Sequence, residues 1–144
     1  MLREAAVPLA TPSCLVAGFG CRQACSEAEL RALLSRALDS MRASTGHLRG
    51  VATLDKRLAV PGLQALASGL CLDLAGYDAQ GLARYDSDLS HRSALSWRYT
   101  GCHGVAEASA LAHCQTLAGA RPVLCVTRLA SANATVALAC PATT

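Results

Sequence analysis

The sequence predicts an α/β fold: a three-layer α/β/α sandwich around a mostly parallel five-stranded sheet whose last strand runs antiparallel. Three observations carry this. Short apolar runs alternate with helical patterns in the order β-α-β-α-β-α-β-β. Glycine turns lead into helices at Gly18-Phe19-Gly20 and at Gly101-Cys102-His103-Gly104. The two closing runs are separated by Ser131-Ala132-Asn133, which suits a hairpin and so an antiparallel end.

Residues 1–13 are a lead-in with two prolines, and the first strand is expected over 14–19. Ser26 with Glu29 three residues later reads as a capping box opening the first long helix. Leu30, Leu33, Leu34, Ala37, Leu38 and Met41 form one apolar stripe. Arg31, Ser35, Arg36, Asp39 and Arg42 fall on the other side, and Gly46 is the expected stop. A second strand is expected over 49–54, ending at Asp55-Lys56-Arg57. Pro61 suits the first turn of a short helix over 61–68, closed by Gly69. The apolar run 70–74 reads as a third strand. Between Gly76 and Thr100 the pattern is poor: 78–85 reads as a helical turn, and the remainder, with Trp97 and Tyr99, as a long binding loop. A small-residue helix follows over 105–118, ended by Gly119, and the last strands are expected over 122–128 and 135–140.

The 144 residues fit a single domain, 1–144, long enough for a sizeable core. Charged residues are only 16%, which leaves apolar surface for a ligand or a partner. The net charge of +3 comes without a dense basic run, and one Trp, three Tyr and one Phe give no stacking platform. Nucleic-acid binding is therefore disfavoured. Arg3-Glu4, Pro8 and Pro12 argue against a secretory signal, and the uncharged run 5–21 is a poor membrane span. A cytoplasmic location with reduced thiols is expected, with no membrane partner. Cys14, Cys71, Cys125 and Cys140 then read as small buried hydrophobes, and His113 as a helix-surface residue.

Two loops share one grammar. Gly18, Gly20, Cys21 and Arg22 precede the first long helix; Gly101, Cys102, His103 and Gly104 precede the third. Each combines glycine, a thiol and a basic side chain beside helix N–H groups, where an anion can sit. In open α/β sheets ligands gather at the carboxyl ends of the strands. If both loops lie there, with Lys56 and Arg57 directly after the second strand at the same edge, they form a cationic crevice for a ligand with several carboxylates or phosphates. The alternative is two separate turns with solvated cations. Cys21, Cys25, Cys102 and His103 lack repeated C-x-x-C spacing, so no metal and no cofactor is expected. Cys21 or Cys102 could serve as a nucleophile, with His103 beside it. Glu107 reads either as a general base or as a residue that complements the helix dipole or orients the loop.

Taken in order, the motifs Gly18-Phe19-Gly20-Cys21-Arg22, Ala52-Thr53-Leu54-Asp55-Lys56, Pro61-Gly62-Leu63, Thr100-Gly101-Cys102-His103-Gly104-Val105-Ala106-Glu107-Ala108 and Ala134-Thr135-Val136-Ala137 resemble the CobE/CbiG C-terminal family of cobalamin biosynthesis. The resemblance implies a three-layer α/β/α fold and a role in making the corrin ring of vitamin B12. Longer members of the family open the δ-lactone of cobalt-precorrin-5A and release a two-carbon fragment. This chain matches only their C-terminal part, and it carries Leu58-Ala59-Val60 where the family often has an acidic residue before Pro-Gly-Leu. The expected function is an accessory protein that binds a polycarboxylate corrin or precorrin intermediate of the oxygen-dependent pathway. Gly18, Gly20, Cys21, Arg22, Lys56, Gly101 and Gly104 would then be its binding residues. The alternative is a precorrin-processing hydrolase using Cys102, His103 and Glu107. Other enzymes of the pathway are the expected protein partners.

Overall fold

The computed structural model describes residues 14–90 and 92–142; the lead-in 1–13 and His91 lie outside the described residues. The elements follow as β1 (Leu15–Cys21), α1 (Glu27–Ser40), β2 (Leu48–Leu54), α2 (Pro61–Gly69), β3 (Leu74–Tyr77), α3 (Ala79–Ala83), α4 (Ala94–Thr100), α5 (Val105–Ala118), β4 (Pro122–Ala130) and β5 (Ala134–Pro141). The sheet order is β3-β2-β1-β5-β4. β1 pairs parallel to β2 and β2 parallel to β3, while β5 runs antiparallel to both β1 and β4. Four strands thus share one direction and the last opposes them, as the sequence predicts.

The period of two along β1 divides the core. Leu15, Ala17 and Phe19 face α1 and α2 and pack with Leu30, Leu33, Leu34, Leu63 and Leu66. Val16 faces the other way, against Ala110, Leu111 and Cys114 of α5. Helix α5 is buried at every position from Val105 to Ala112, which its alanines and Ser109 permit. It lies so close to β1 that a Cβ at Gly18 would stand 2.1 Å from the Ala106 carbonyl oxygen and 2.5 Å from the Ala110 nitrogen. Gly18 therefore serves strand–helix contact and not a turn.

Several local expectations are corrected. Helix α1 stops well before Gly46, because Arg42 adopts the left-handed conformation (φ 56°) and Ala43 N–H closes the end on the Leu38 carbonyl at 2.9 Å. The run 70–72 closes α2 and is not strand: Cys71 is left-handed (φ 58°) and Leu72 N–H reaches back to the Ala67 carbonyl. The third strand accordingly begins at Leu74. The helical turn expected over 78–85 is α3, with Asp78 as its N-cap, but the remainder read as a loop contains the helix α4, with Ser93 as its N-cap. Cys71 is exposed, and Cys125 and Cys140 form a disulfide between the neighbouring strands β4 and β5, with Cα atoms 6.2 Å apart. Their half-buried antiparallel neighbourhood brings the sulfurs together, so this pair departs from the expected reduced state. His113 is half-buried, with Nδ1 2.8 Å from the Tyr77 hydroxyl, because Gly50 leaves room for its ring on the sheet.

Candidate functional site

Strands β1 and β2 both end at the same edge, where Thr53 Oγ1 ties them by donating to the Phe19 carbonyl at 2.8 Å. There a cavity of about 590 Å3 opens, a size suited to a small-molecule site. Gly20, Cys21 and Arg22 form one wall, and His103, Gly104, Val105 and Ala106 at the start of α5 form another. The hairpin turn Ser131-Ala132-Asn133 closes a third side. The two glycine loops thus meet in one crevice at the carboxyl ends of the parallel strands.

The hairpin is held there by a group that the sequence assigned elsewhere. Ser26 Oγ caps α1 by accepting from Glu29 N–H. The Glu29 carboxylate, however, accepts from Asn133 N–H at 2.7 Å, from Asn133 Nδ2 at 2.9 Å and from the Ser131 hydroxyl. These bonds hold its carboxyl below the usual range. Only half of the expected capping box therefore forms. Arg22 N–H also bonds the Asn133 carbonyl, at 3.0 Å, and joins the first loop to the hairpin.

Three arginines line the cavity. Arg22 is exposed at its mouth. Arg57 is half-buried and donates through Nε to the Cys21 carbonyl at 2.9 Å, which fixes the orientation of its planar head. Arg128 reaches the cavity from β4, where its backbone N–H donates to Glu107 Oε2 at 2.9 Å. Of the two cations expected at this edge, Arg57 lines the cavity, while Lys56 is exposed on the 3-10 turn Asp55–Arg57 and does not. No aspartate or glutamate lines the cavity among the described residues.

His103 is the fourth basic group. Its Nδ1 lies 2.9 Å from Asp86 Oδ2, and its ring stacks on Trp97 at 4.8 Å between centroids. Burial alone would raise the Asp86 carboxyl, but hydrogen bonds from Arg92 and His103 hold it below its usual value. A carboxylate on Nδ1 fixes the ring and leaves Nε2 for a ligand.

The other expected chemical residues are placed differently. Gly18 and Gly101 do not line the cavity. Cys102 is fully buried beside Leu54, Leu82 and Val105, and burial pushes its thiol up. Cys21 lines the cavity, but burial and the neighbouring Cys25 push its thiol up to about 11. Neither is held as a thiolate at neutral pH. Glu107 is buried and accepts from Ser90 N–H, the Ser90 hydroxyl and Arg128 N–H. Through these bonds it ties the segment before α4 and strand β4 to the first turn of α5. Cys21, Cys25, Cys102 and His103 do not gather as a metal site, and no group of three or more His, Cys, Asp or Glu does so among the described residues. No helix among the described residues is long and apolar enough to cross a membrane.

Asp86 and Arg128 escaped the sequence reading. Asp86 lies 17 residues from His103 in a segment without periodicity. Arg128 ends the strand expected over 122–128, and its place at the cavity comes from the packing of α5 beside that strand, where Glu107 takes its N–H.

Comparison with known proteins agrees with this architecture. The family model described as cobalamin synthesis G C-terminus matches residues 15–139. Protein CobE of Sinorhizobium sp is 43% identical over 129 residues, which span 90% of this chain and 81% of that relative. The crystal structure of CobE, a protein from the cobalamin (vitamin B12) biosynthetic pathway, superposes with a TM-score of 0.85 at 40% identity, covering 92% of this chain and 93% of the other. The cobalamin biosynthesis protein chiG from Agrobacterium tumefaciens gives a TM-score of 0.62 at 28% identity, covering 90% and 99%. The chain thus belongs to the cobalamin synthesis G C-terminus family and is a protein of cobalamin biosynthesis.

Proposed function

We propose that this protein binds a corrin or precorrin intermediate of the oxygen-dependent pathway in the crevice between its two glycine loops. The observation that carries the reading is the set Arg22, Arg57 and Arg128 around one cavity free of lining carboxylates. Corrin precursors carry several carboxylates around a flat apolar ring. Guanidinium groups match carboxylates in shape and charge, and the first turn of α5 adds the positive end of its dipole. Leu54, Val105, Ala106 and Ala134 offer an apolar floor for the ring. The test is a titration with hydrogenobyrinic acid and earlier precorrins, followed by corrin absorbance, with the product mass measured. Tight binding that weakens with salt, at unchanged mass, is expected. Arg57→Ala should weaken it about tenfold or more, the worth of a charge-assisted hydrogen bond. Unchanged affinity in Arg22→Ala, Arg57→Ala and Arg128→Ala would overturn the site.

A second reading is favoured by the Asp86–His103 pair. In a hydrolase, His103 Nε2 would take a proton from water as it adds to a lactone carbonyl. The ring C–O bond would break, and the proton would pass to the departing alkoxide. This reading predicts a mass change lost in His103→Ala and reduced in Asp86→Asn. An unchanged mass with authentic precorrin lactone would remove it.

A further inference from the structure

We infer that the crevice reads the ionisation of its ligand, holding free carboxylates and rejecting the same ring once those carboxyls are neutralised as amides. This inference rests on the binding reading above and adds the specificity of the site. Arg22, Arg57 and Arg128 have no carboxylate partner among the described residues, whereas Arg31 pairs with Glu27 and Arg92 with Asp86. The acids that bond the residues of the cavity wall do not line it and are already engaged, Asp86 by Arg92 and His103. Glu29 is taken up by Ser131 and Asn133, and Glu107 by Ser90 and the Arg128 backbone. The arginines therefore line the cavity, and the acids hold its wall without lining it.

A guanidinium has donors only, and a carboxylate is an acceptor only. A primary amide removes the charge and sets an N–H group against the arginine N–H groups. A site of fixed donors discriminates against such an analogue far more strongly than an apolar pocket does, because its donors are left unpaired. Arg57 is such a fixed donor, since its Nε is spent on the Cys21 carbonyl. Arg128 is anchored through its backbone on Glu107. Arg22 is exposed and so contributes charge more than geometry. A reaction class that converts the ligand's carboxyls to amides would accordingly turn it out of the crevice, so this protein acts before such a step.

The experiment compares hydrogenobyrinic acid with the same macrocycle whose carboxyls have been converted chemically to primary amides, by absorbance titration at pH 7 and low salt. The amide form should bind at least about tenfold more weakly. The gap should narrow in Arg57→Ala and Arg128→Ala. Arg57→Lys, which keeps the charge and is the milder change for the fold, should retain part of it. Equal affinity of the two forms for the wild type would overturn the inference while leaving the binding reading intact. A gap undiminished in both alanine variants would overturn the assignment to these residues. Failure of the free acid to bind at all would remove the binding reading, and this inference with it.

Discussion

At the scale of the residue, burial decides what the thiols and histidines can do. Cys21 and Cys102 occupy the motif positions that suggest nucleophiles, yet desolvation raises both. We predict that iodoacetamide at pH 8 modifies exposed Cys71 at least about tenfold faster than Cys102, read by peptide mass spectrometry. Equal rates would restore Cys102 as a reactive group. His113 gives a pH prediction. Its burial lowers its pKa below 6.5, so the unfolded chain takes up the proton first as pH falls. Its neutral, buried state stabilises the fold above pH 6.5, and that contribution is lost as pH falls from there to the lowered value. His113→Gln should flatten the acid side of the stability curve in that window, measured by urea unfolding. Neither effect is visible in the sequence, because burial belongs to the packing of α5 on β2 and β3. Arg57 shows the same limit: Lys56 and Arg57 are equal in sequence, and only the turn after β2 decides which one enters the crevice.

At the scale of the element, periodicity was legible and endings were not. The stripe of α1 and the full extent of α5 follow from apolar spacing and from Gly119, which is left-handed as a helix-closing glycine should be. The end of α1 escaped because Arg42 takes the left-handed position, where an L side chain is strained. Arg42→Gly should relieve this and raise stability by about 1 kcal/mol in chemical unfolding. Loss of stability would contradict the assigned cap. Leu70 and Leu72 looked like strand because apolar residues closing a helix resemble an apolar strand in so short a run. The Ser26–Glu29 spacing found the helix start, but no local rule could send the Glu29 carboxylate to a hairpin 102 residues away. We predict that Glu29→Gln speeds amide exchange at Asn133 by about tenfold, because the hairpin loses its charged acceptor. The wild-type contribution of Glu29 is present above its usual carboxyl range and is lost as pH falls through its lowered value.

At the scale of the molecule, the order β3-β2-β1-β5-β4 brings the loop after β1, the start of α5 and the β4–β5 hairpin to one edge. The alternation of strands and helices made the layers and the antiparallel end legible. Whether the two glycine loops meet was not legible, because the second stands between α4 and α5 and only the packing of α5 on β1 sets it beside the first. Arg128 and Asp86 were not legible either, since each joins the site only through sheet order and the packing of the segment before α5. The central claim is that this edge holds a polycarboxylate corrin. Its most direct test is a crystal structure of the protein with hydrogenobyrinic acid bound. The account predicts the ring seated over Val105 and Ala134, with ring carboxylates within hydrogen-bond distance of Arg57 and Arg128. A ring bound elsewhere on the surface, with both guanidinium groups left to solvent, would contradict it.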